Sequence, residues 1–426
     1  MTPNLTWCLA LGPFALAFAG LATGSARSGQ RRVGGGAALI AGFVLALAIA
    51  TGVGVALKGP LATSTIGVAG IGVGFYADTL AAIIFVLVAF VGLIVVLYSR
   101  NYLDGDRGQA RFTKWLCLTL AAVLLLIVSG NLFQFALAWI ATSLGLNKLL
   151  LFYPERQAAV LAARKKFLAS RLGDLCLITA MVLLHRAFGS LDYAVLFAGA
   201  EAMRGGGDIP AAIHAVAVLL VVAALLKSAQ FPLHGWLTEV METPTPVSAL
   251  LHAGVINAGG FLVLRFADVI SLSAPSMEVL VIVGGVTALF GSVVMLTQTS
   301  VKVSLAYSTI AQMGFMMLQC GLGAFAAALL HIVAHSLYKA HAFLSSGSVI
   351  DLARASWSPS PGGQPHPARM AMIVGLVLAA ALVVGTLFGA TITAQPGVFA
   401  LGAVVMLGLA HLVTQAFDQR PSLYVV

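Results

Sequence analysis

Residues 215–226 read AVAVLLVVAALL, an unbroken apolar run that ends on Lys227. Five residues on, Pro232 opens a second hydrophobic stretch, which is interrupted by Pro244-Thr-Pro246 and followed by His252. A charge deep in a bilayer costs roughly 2.5–3.5 kcal/mol on insertion scales, so a chain keeps one there only with a partner, a water path or a task. Pro232 has no N–H for an intrahelical bond, so the helix is expected to kink or unwind just beyond Lys227. Interrupted helices at membrane depth are tolerated where they line a cavity that water reaches.

The rest of the chain agrees. It has 426 residues, 60% hydrophobic and only 9% charged, with a mean hydropathy of +1.02. No soluble fold hides that much apolar surface, so the composition predicts an all-α polytopic membrane protein in contact with a lipid bilayer. A helix needs about 20 apolar residues to cross the hydrocarbon core. Such runs fall at 6–23, 37–57, 79–98, 115–129, 131–152, 167–185, 213–242, 244–264, 276–297, 303–320, 322–349, 370–393 and 396–417, about thirteen in all. The seventh and eleventh are overlong, which predicts tilted or broken helices.

Charge sets the expected orientation. Lys148, Lys227 and Lys339 fall inside runs; of the other 20 Lys and Arg residues, 16 lie after odd-numbered runs or in the C-terminal tail, with Arg171 counted among them as the frayed start of the sixth run. Only Lys58, Arg186, Arg204 and Arg265 lie on the opposite side. That bias predicts an N-terminus outside and a cytoplasmic C-terminus. The net charge of +9 is thus a topology signal, and no nucleic-acid partner follows from it. The first run lacks a basic leader and reads as a retained span. Cys8, Cys117, Cys176 and Cys320 are far apart, with neither metal-ligand nor disulfide spacing. The polar stretches at 100–114, 154–166, 188–210 and 353–369 read as connections, with 351–369 a cytoplasmic loop and 370–426 two C-terminal helices and a tail. The whole of 1–426 is expected to be one transmembrane domain.

Two constellations carry chemistry. The first is Lys227 with Glu239, Glu242 and His252. Burial favours a neutral amine and a nearby carboxylate favours the ammonium, so a lysine balanced between them can take and release a proton. Alternatively, Glu239 and Glu242 mark a membrane surface and Lys227 is a structural ion-pair partner. The second is His331, His335 and Lys339, whose spacing of four puts them on one helical stripe. Neutral imidazole offers one donor and one acceptor, so such a stripe can relay protons through water. Zinc is the competing use of two histidines at i,i+4, but no acid lies between them and no third ligand is evident. Arg171 and Asp174, at i,i+3, read as a local ion pair that can also couple to the lysine path. Tyr307, Ser308, Thr309 and Gln312 give the tenth run a polar stripe, either channel lining or helix–helix glue, and Lys302 ahead of it is a candidate coupling residue.

These residues resemble a known family. The run from Lys227 to Leu237, the Pro244–Ala253 segment, Lys302-Val-Ser-Leu-Ala-Tyr-Ser-Thr-Ile-Ala-Gln-Met-Gly and His331-Ile-Val-Ala-His-Ser-Leu-Tyr-Lys339 resemble the antiporter-like subunits of respiratory complex I and Mrp antiporters. So do Tyr98-Ser-Arg-Asn-Tyr-Leu and Arg171-Leu-Gly-Asp174, and the likeness covers about residues 75–350 as a proton-translocation core. It implies an antiporter-like fold with broken helices, with Lys227 as central proton-transfer lysine and His331, His335 and Lys339 as a hydrated relay. Three features depart from the pattern. Trp139 is followed by Ile140 where relatives have glutamate, residues 370–393 contain no lysine or acid, and the sequence ends near its thirteenth run with no long lateral helix.

Residues 138–156 and 162–174 look closer to one branch, the DabB-type membrane subunit of inorganic-carbon accumulation complexes. That resemblance implies a multi-pass inner-membrane protein and a soluble DabA-like zinc partner with a carbonic-anhydrase-like site on the cytoplasmic face. Cation flow, expected to be protons, would drive hydration of carbon dioxide to bicarbonate. This chain is expected to hold no cofactor and perform no catalysis alone. The alternative is a proton-pumping subunit of a complex I-like or hydrogenase complex, or of an Mrp-type sodium/proton antiporter.

Overall fold

The computed structural model describes residues 6–25, 30–206, 208–240 and 243–346, with isolated residues at 371–372, 375–376, 379, 397 and 402. Glu242, the 351–369 loop and, apart from those isolated residues, the two expected helices of 370–426 lie outside the described residues. The chain divides into two units, one of Met1–Gly321 with Phe325–Ser346 and one of Leu322–Ala324 with 347–426. Everything below concerns the first.

That unit is helical almost throughout. Helices α1 (Leu11–Ser25) and α2 (Gln30–Lys58) precede four short strands, β1 (Leu61–Ala62), β2 (Ile66–Val68), β3 (Ile71–Val73) and β4 (Tyr76–Ala77). Then follow α3 (Thr79–Tyr102), α4 (Gln109–Ile127), α5 (Leu132–Leu150), α6 (Gln157–Phe188), α7 (Tyr193–Gly205) and α8 (Ala211–Lys227). The remainder comprises α9 (Gly235–Glu239), α10 (Thr245–Ala253), α11 (Ala258–Arg265), α12 (Ala267–Ile270), α13 (Ala274–Leu296), α14 (Val301–Gly321) and α15 (Phe325–Leu344). Among the described residues, seven helical stretches are long and apolar enough to cross a membrane: 6–23, 35–58, 79–102, 109–127, 157–188, 245–265 and 274–296.

The structure corrects the sequence reading at three places. The fold is not purely α, because β2 and β3 form an antiparallel hairpin and β1 pairs with β4. Ala69 and Gly70, both at positive φ, make the two-residue turn that matches strand twist. The polar stretch 154–166 is only partly a connection. Helix α6 starts at Gln157, so Arg171 and Asp174 sit well inside it and not at a frayed start. The stretch 188–210 contains α7, whose buried face is Tyr193, Leu196 and Ala200.

The overlong seventh run is broken where proline chemistry predicts. Helix α8 stops at Lys227, Ser228 N–H caps back on Ala224 O, and a non-helical segment leads to the five-residue α9. The eighth run is broken too, by Gly254 and a 3-10 turn at Val255–Asn257 between α10 and α11.

Helix α13 shows how the outer surface is built. Its buried positions are Ser276, Leu280, Gly284, Thr287 and Gly291, while Ile282, Val286, Leu289 and Val293 are exposed. Small residues inward and large aliphatics outward is the pattern of a helix that packs on protein and faces lipid. Against it lies α14: a Cβ on Gly314 would stand 2.5 Å from Ala288 N, and one on Gly284 would stand 2.7 Å from Gly314 O. The two backbones are therefore in near contact.

Candidate functional site

Lys227 ends α8 among α5 and α6, 7% exposed. Its Nζ lies 4.3 Å from the centroid of the Trp139 ring and donates to Trp139 O at 3.4 Å. A desolvated ammonium over an indole face gains a cation–π attraction of about 2 kcal/mol. Asp174, 5% exposed on α6, carries the nearby negative charge, and its carboxylate is 2.7 Å from Arg171 Nη2. It stands within electrostatic reach of Lys227, of Lys166 and of the Trp139 indole. Ile140 leaves α5 without a carboxylate at that position, so Asp174 on α6 is the acid that shares the pocket with Lys227.

Glu239 stands elsewhere. It pairs with Lys165 at 2.5 Å, and both side chains are substantially exposed. Its expected coupling to Lys227 is replaced by an α6–α9 surface pair. An exposed pair of this kind contributes about 0–1 kcal/mol.

The second constellation is assembled by α10, α14 and α15. His331, His335 and Lys339 share one stripe of α15, as their spacing predicts, with rings of His331 and His335 6.1 Å apart. His331 Nδ1 is 3.1 Å from Gln319 Oε1, and His335 Nδ1 is 2.6 Å from Gln312 Oε1. His335 Nε2 donates to His252 O at 3.2 Å. Lys339, fully buried, donates to Leu305 O at 3.2 Å, and Thr309 Oγ1 donates to that same carbonyl at 3.0 Å. Thr309 has spent its proton there, so the 3.0 Å contact with His252 must be a donation from His252 Nδ1. That leaves His252 Nε2 as a buried acceptor with no partner among the described residues, on a ring stacked against Phe343 at 4.3 Å. Lys339, Leu305, Thr309, His252 and His335 thus form one connected polar chain. Lys302 lies near its end, donating to Thr245 Oγ1 at 3.5 Å.

The breaks place bonds of neighbouring residues between the two constellations. Beside Lys227, Ser228 Oγ donates to Ile256 O at 2.9 Å, within the 3-10 turn. The next residue, Asn257, donates to Ser336 Oγ on α15 at 2.7 Å, adjacent to His335. An uninterrupted helix would turn these groups back on themselves. The interrupted one turns them sideways, to neighbours.

Sequence reasoning missed two residues here. Lys166, counted among loop charges, is 3% exposed and donates to both Ser143 O and Ser143 Oγ at 2.8 Å. Its signal was spacing: Lys166, Ser170 and Asp174 recur at i, i+4 and i+8 on the buried face of α6. Arg265, counted as a loop charge on the opposite side, is buried at the end of α11 and forms a bidentate pair with Asp78 at 2.7 and 3.0 Å. Rings of Tyr76, Tyr193 and Phe261 surround its guanidinium at 5.2–5.7 Å. Among the described residues, no three His, Cys, Asp or Glu side chains gather to hold a metal.

Residues 129–359 match the family described as NADH:quinone oxidoreductase/Mrp antiporter, TM, and residues 64–113 match the N-terminus of complex I chain 5. The chain is 51% identical over 265 residues to the probable inorganic carbon transporter subunit DabB2 of Halothiobacillus neapolitanus, covering 62% of this chain and 48% of the relative. It is 46% identical over 266 residues to the probable inorganic carbon transporter subunit DabB of Hydrogenovibrio crunogenus, covering 62% and 51%. The chain thus spans about half the length of the curated relatives it matches. A chain of the Mrp complex from Dietzia sp. DQ12-45-1b has a similar structure, with a TM-score of 0.72 and 27% identity over 95% of this chain and 46% of that one.

Proposed function

Because the chain belongs to the NADH:quinone oxidoreductase/Mrp antiporter membrane family, we propose that it is the proton-conducting membrane subunit of an energy-coupled inorganic-carbon uptake complex. The observation that carries conduction is the buried polar chain from Lys339 through the Leu305 carbonyl, Thr309 and His252 to His335, with Ser228–Ile256 and Asn257–Ser336 bonds made by the sequence neighbours of Lys227 and His335 between the two constellations. Burying that many polar groups in an apolar bundle is costly, and rewarded where ions or protons must pass. Lys227, His252, His331, His335 and Lys339 hold and hand on the proton. Asp174 and Arg171 set the charge around Lys227, and Lys302 stands at one mouth. The substrate class is supported by the names of the DabB relatives.

In this reading the chain crosses the bacterial inner membrane thirteen times, with its N-terminus outside. Protons move down their gradient, and a soluble zinc-bearing partner on the cytoplasmic face performs the carbon dioxide hydration. The test is inorganic-carbon accumulation by cells carrying Lys227→Ala at matched expression. Loss of accumulation is expected; normal accumulation refutes the proposal. A second reading, a pumping subunit of a redox or sodium/proton antiporter complex, is favoured by the Mrp likeness. It predicts sodium- or redox-coupled proton movement without dependence on carbon dioxide.

A further inference from the structure

We propose that Lys166 is a second proton-carrying lysine, which connects Lys227 to the membrane face at the start of α6. This rests on the conduction reading above.

The geometry is a ladder. On α5, Trp139 and Ser143 are one turn apart; Trp139 holds the Lys227 ammonium and Ser143 holds that of Lys166. On α6, Lys166, Ser170 and Asp174 line the facing stripe, all at most 8% exposed. The span from Lys166 to Asp174 is ~12 Å of helix rise, with Ser170 midway along it. Lys165, the next residue toward the helix start, is half exposed on a different helical face and paired with Glu239, so the α6 surface lies one residue from Lys166.

Lys166 is expensive as a mere fastener. Among the described residues, its hydrogen-bond acceptors are a carbonyl and a hydroxyl of one residue, and no carboxylate touches it. The charged groups that face it are Lys227 from α8 and Arg171 and Asp174 from its own helix. Two ammonium groups held by residues one turn apart on α5 repel, so protonation of one favours release from the other. In the step we infer, the Lys166 ammonium gives a proton by way of Ser170 toward the Asp174 carboxylate and becomes a neutral amine. Asp174 passes a proton to the neutral Lys227 amine, and Lys166 regains one from the α6 surface. The same steps run in reverse.

Sealed membrane vesicles carrying the full-length chain with its native partners, given an imposed pH gradient and a pH-sensitive dye, test this. Lys166→Met keeps the length without a titratable group, and Lys166→Arg keeps the charge without releasing it. Both are expected to slow proton movement by about tenfold or more, while Lys166→His retains movement with its pH profile displaced to lower pH. Full rates in Lys166→Arg would reduce Lys166 to a charge clamp and overturn the inference, as would full rates in Lys166→Met. Lys227→Met separates the two ideas: inactive Lys227→Met beside active Lys166 variants sinks only this inference, and active Lys227→Met sinks the conduction reading too. Should the Lys166 variants not accumulate, Ser143→Ala leaves the lysine and its carbonyl acceptor in place. A shifted pH profile there supports the inference and an unchanged one overturns it.

Discussion

The imidazole of His335 is held at both nitrogens: Nε2 donates to His252 O at 3.2 Å, and Nδ1 stands 2.6 Å from Gln312 Oε1. Both of those oxygens can only accept. With both contacts kept, the ring must carry two protons. For neutral His335, with Nε2–H kept on the carbonyl, the Gln312 amide must turn and offer its NH2 to Nδ1. Protonation of His335 is therefore tied to the orientation of one amide.

Gln312→Glu fixes this choice. A carboxylate beside Nδ1 holds the imidazolium by a charge-assisted bond of about 1.5–3 kcal/mol, or roughly ten- to a hundredfold in rate. Proton movement through vesicles should slow accordingly at unchanged protein level. An unaltered rate would show that His335 does not cycle between its two forms.

The Arg265–Asp78 pair is expected to be structural. Arg265 is almost fully buried and Asp78 a quarter exposed, and Asp78 Oδ1 also accepts the Ala81 N–H that starts α3. Asp78→Asn retains that cap, removes the charge and sets an NH2 donor against Arg265 Nη1 in place of the Oδ2 acceptor. Leaving a buried arginine unpaired costs roughly 3–5 kcal/mol, and the partial exposure of Asp78 places this variant at the lower end. The thermal midpoint of the purified protein in detergent should fall clearly. Asp78→Asn combined with Arg265→Met should recover most of the loss.

Gly314→Leu should separate α13 from α14. A Cβ there meets main-chain atoms of Ala288 and Gly284 at 2.5 and 2.8 Å, and backbone cannot yield as a side chain does. Gly285→Leu, on the same α13 but with open space around it, is the control. Loss of folded protein in the first and not the second is the expected pattern in detergent-solubilised yield.

How much of this was legible in the sequence depends on what surrounds each residue. Lys227 and the His331–Lys339 stripe stand out because a base amid leucines and valines is conspicuous in one dimension. The family was legible from the same stretches. Lys166 was hidden because Ala163-Arg-Lys-Lys looks uniformly polar, and only helical phase separates exposed Lys165 from buried Lys166. Asp78 and Arg265 are 187 residues apart, so no local pattern joins them. The β2–β3 hairpin was missed because its Gly-rich residues lack the alternation of a half-buried strand; Ile66, Val68, Ile71 and Val73 are all exposed.

The kink between α10 and α11 frees main-chain oxygens to serve as rungs, those of His252 and Ile256 among them. A peptide carbonyl is specified by no codon. Mutational scans of this region will therefore underestimate the extent of the proposed pathway, since its main-chain part survives any replacement that keeps the bend. Genetics can silence the lysines and histidines, but only a change in backbone course, such as an inserted residue after Gly254, can remove those oxygens from the route.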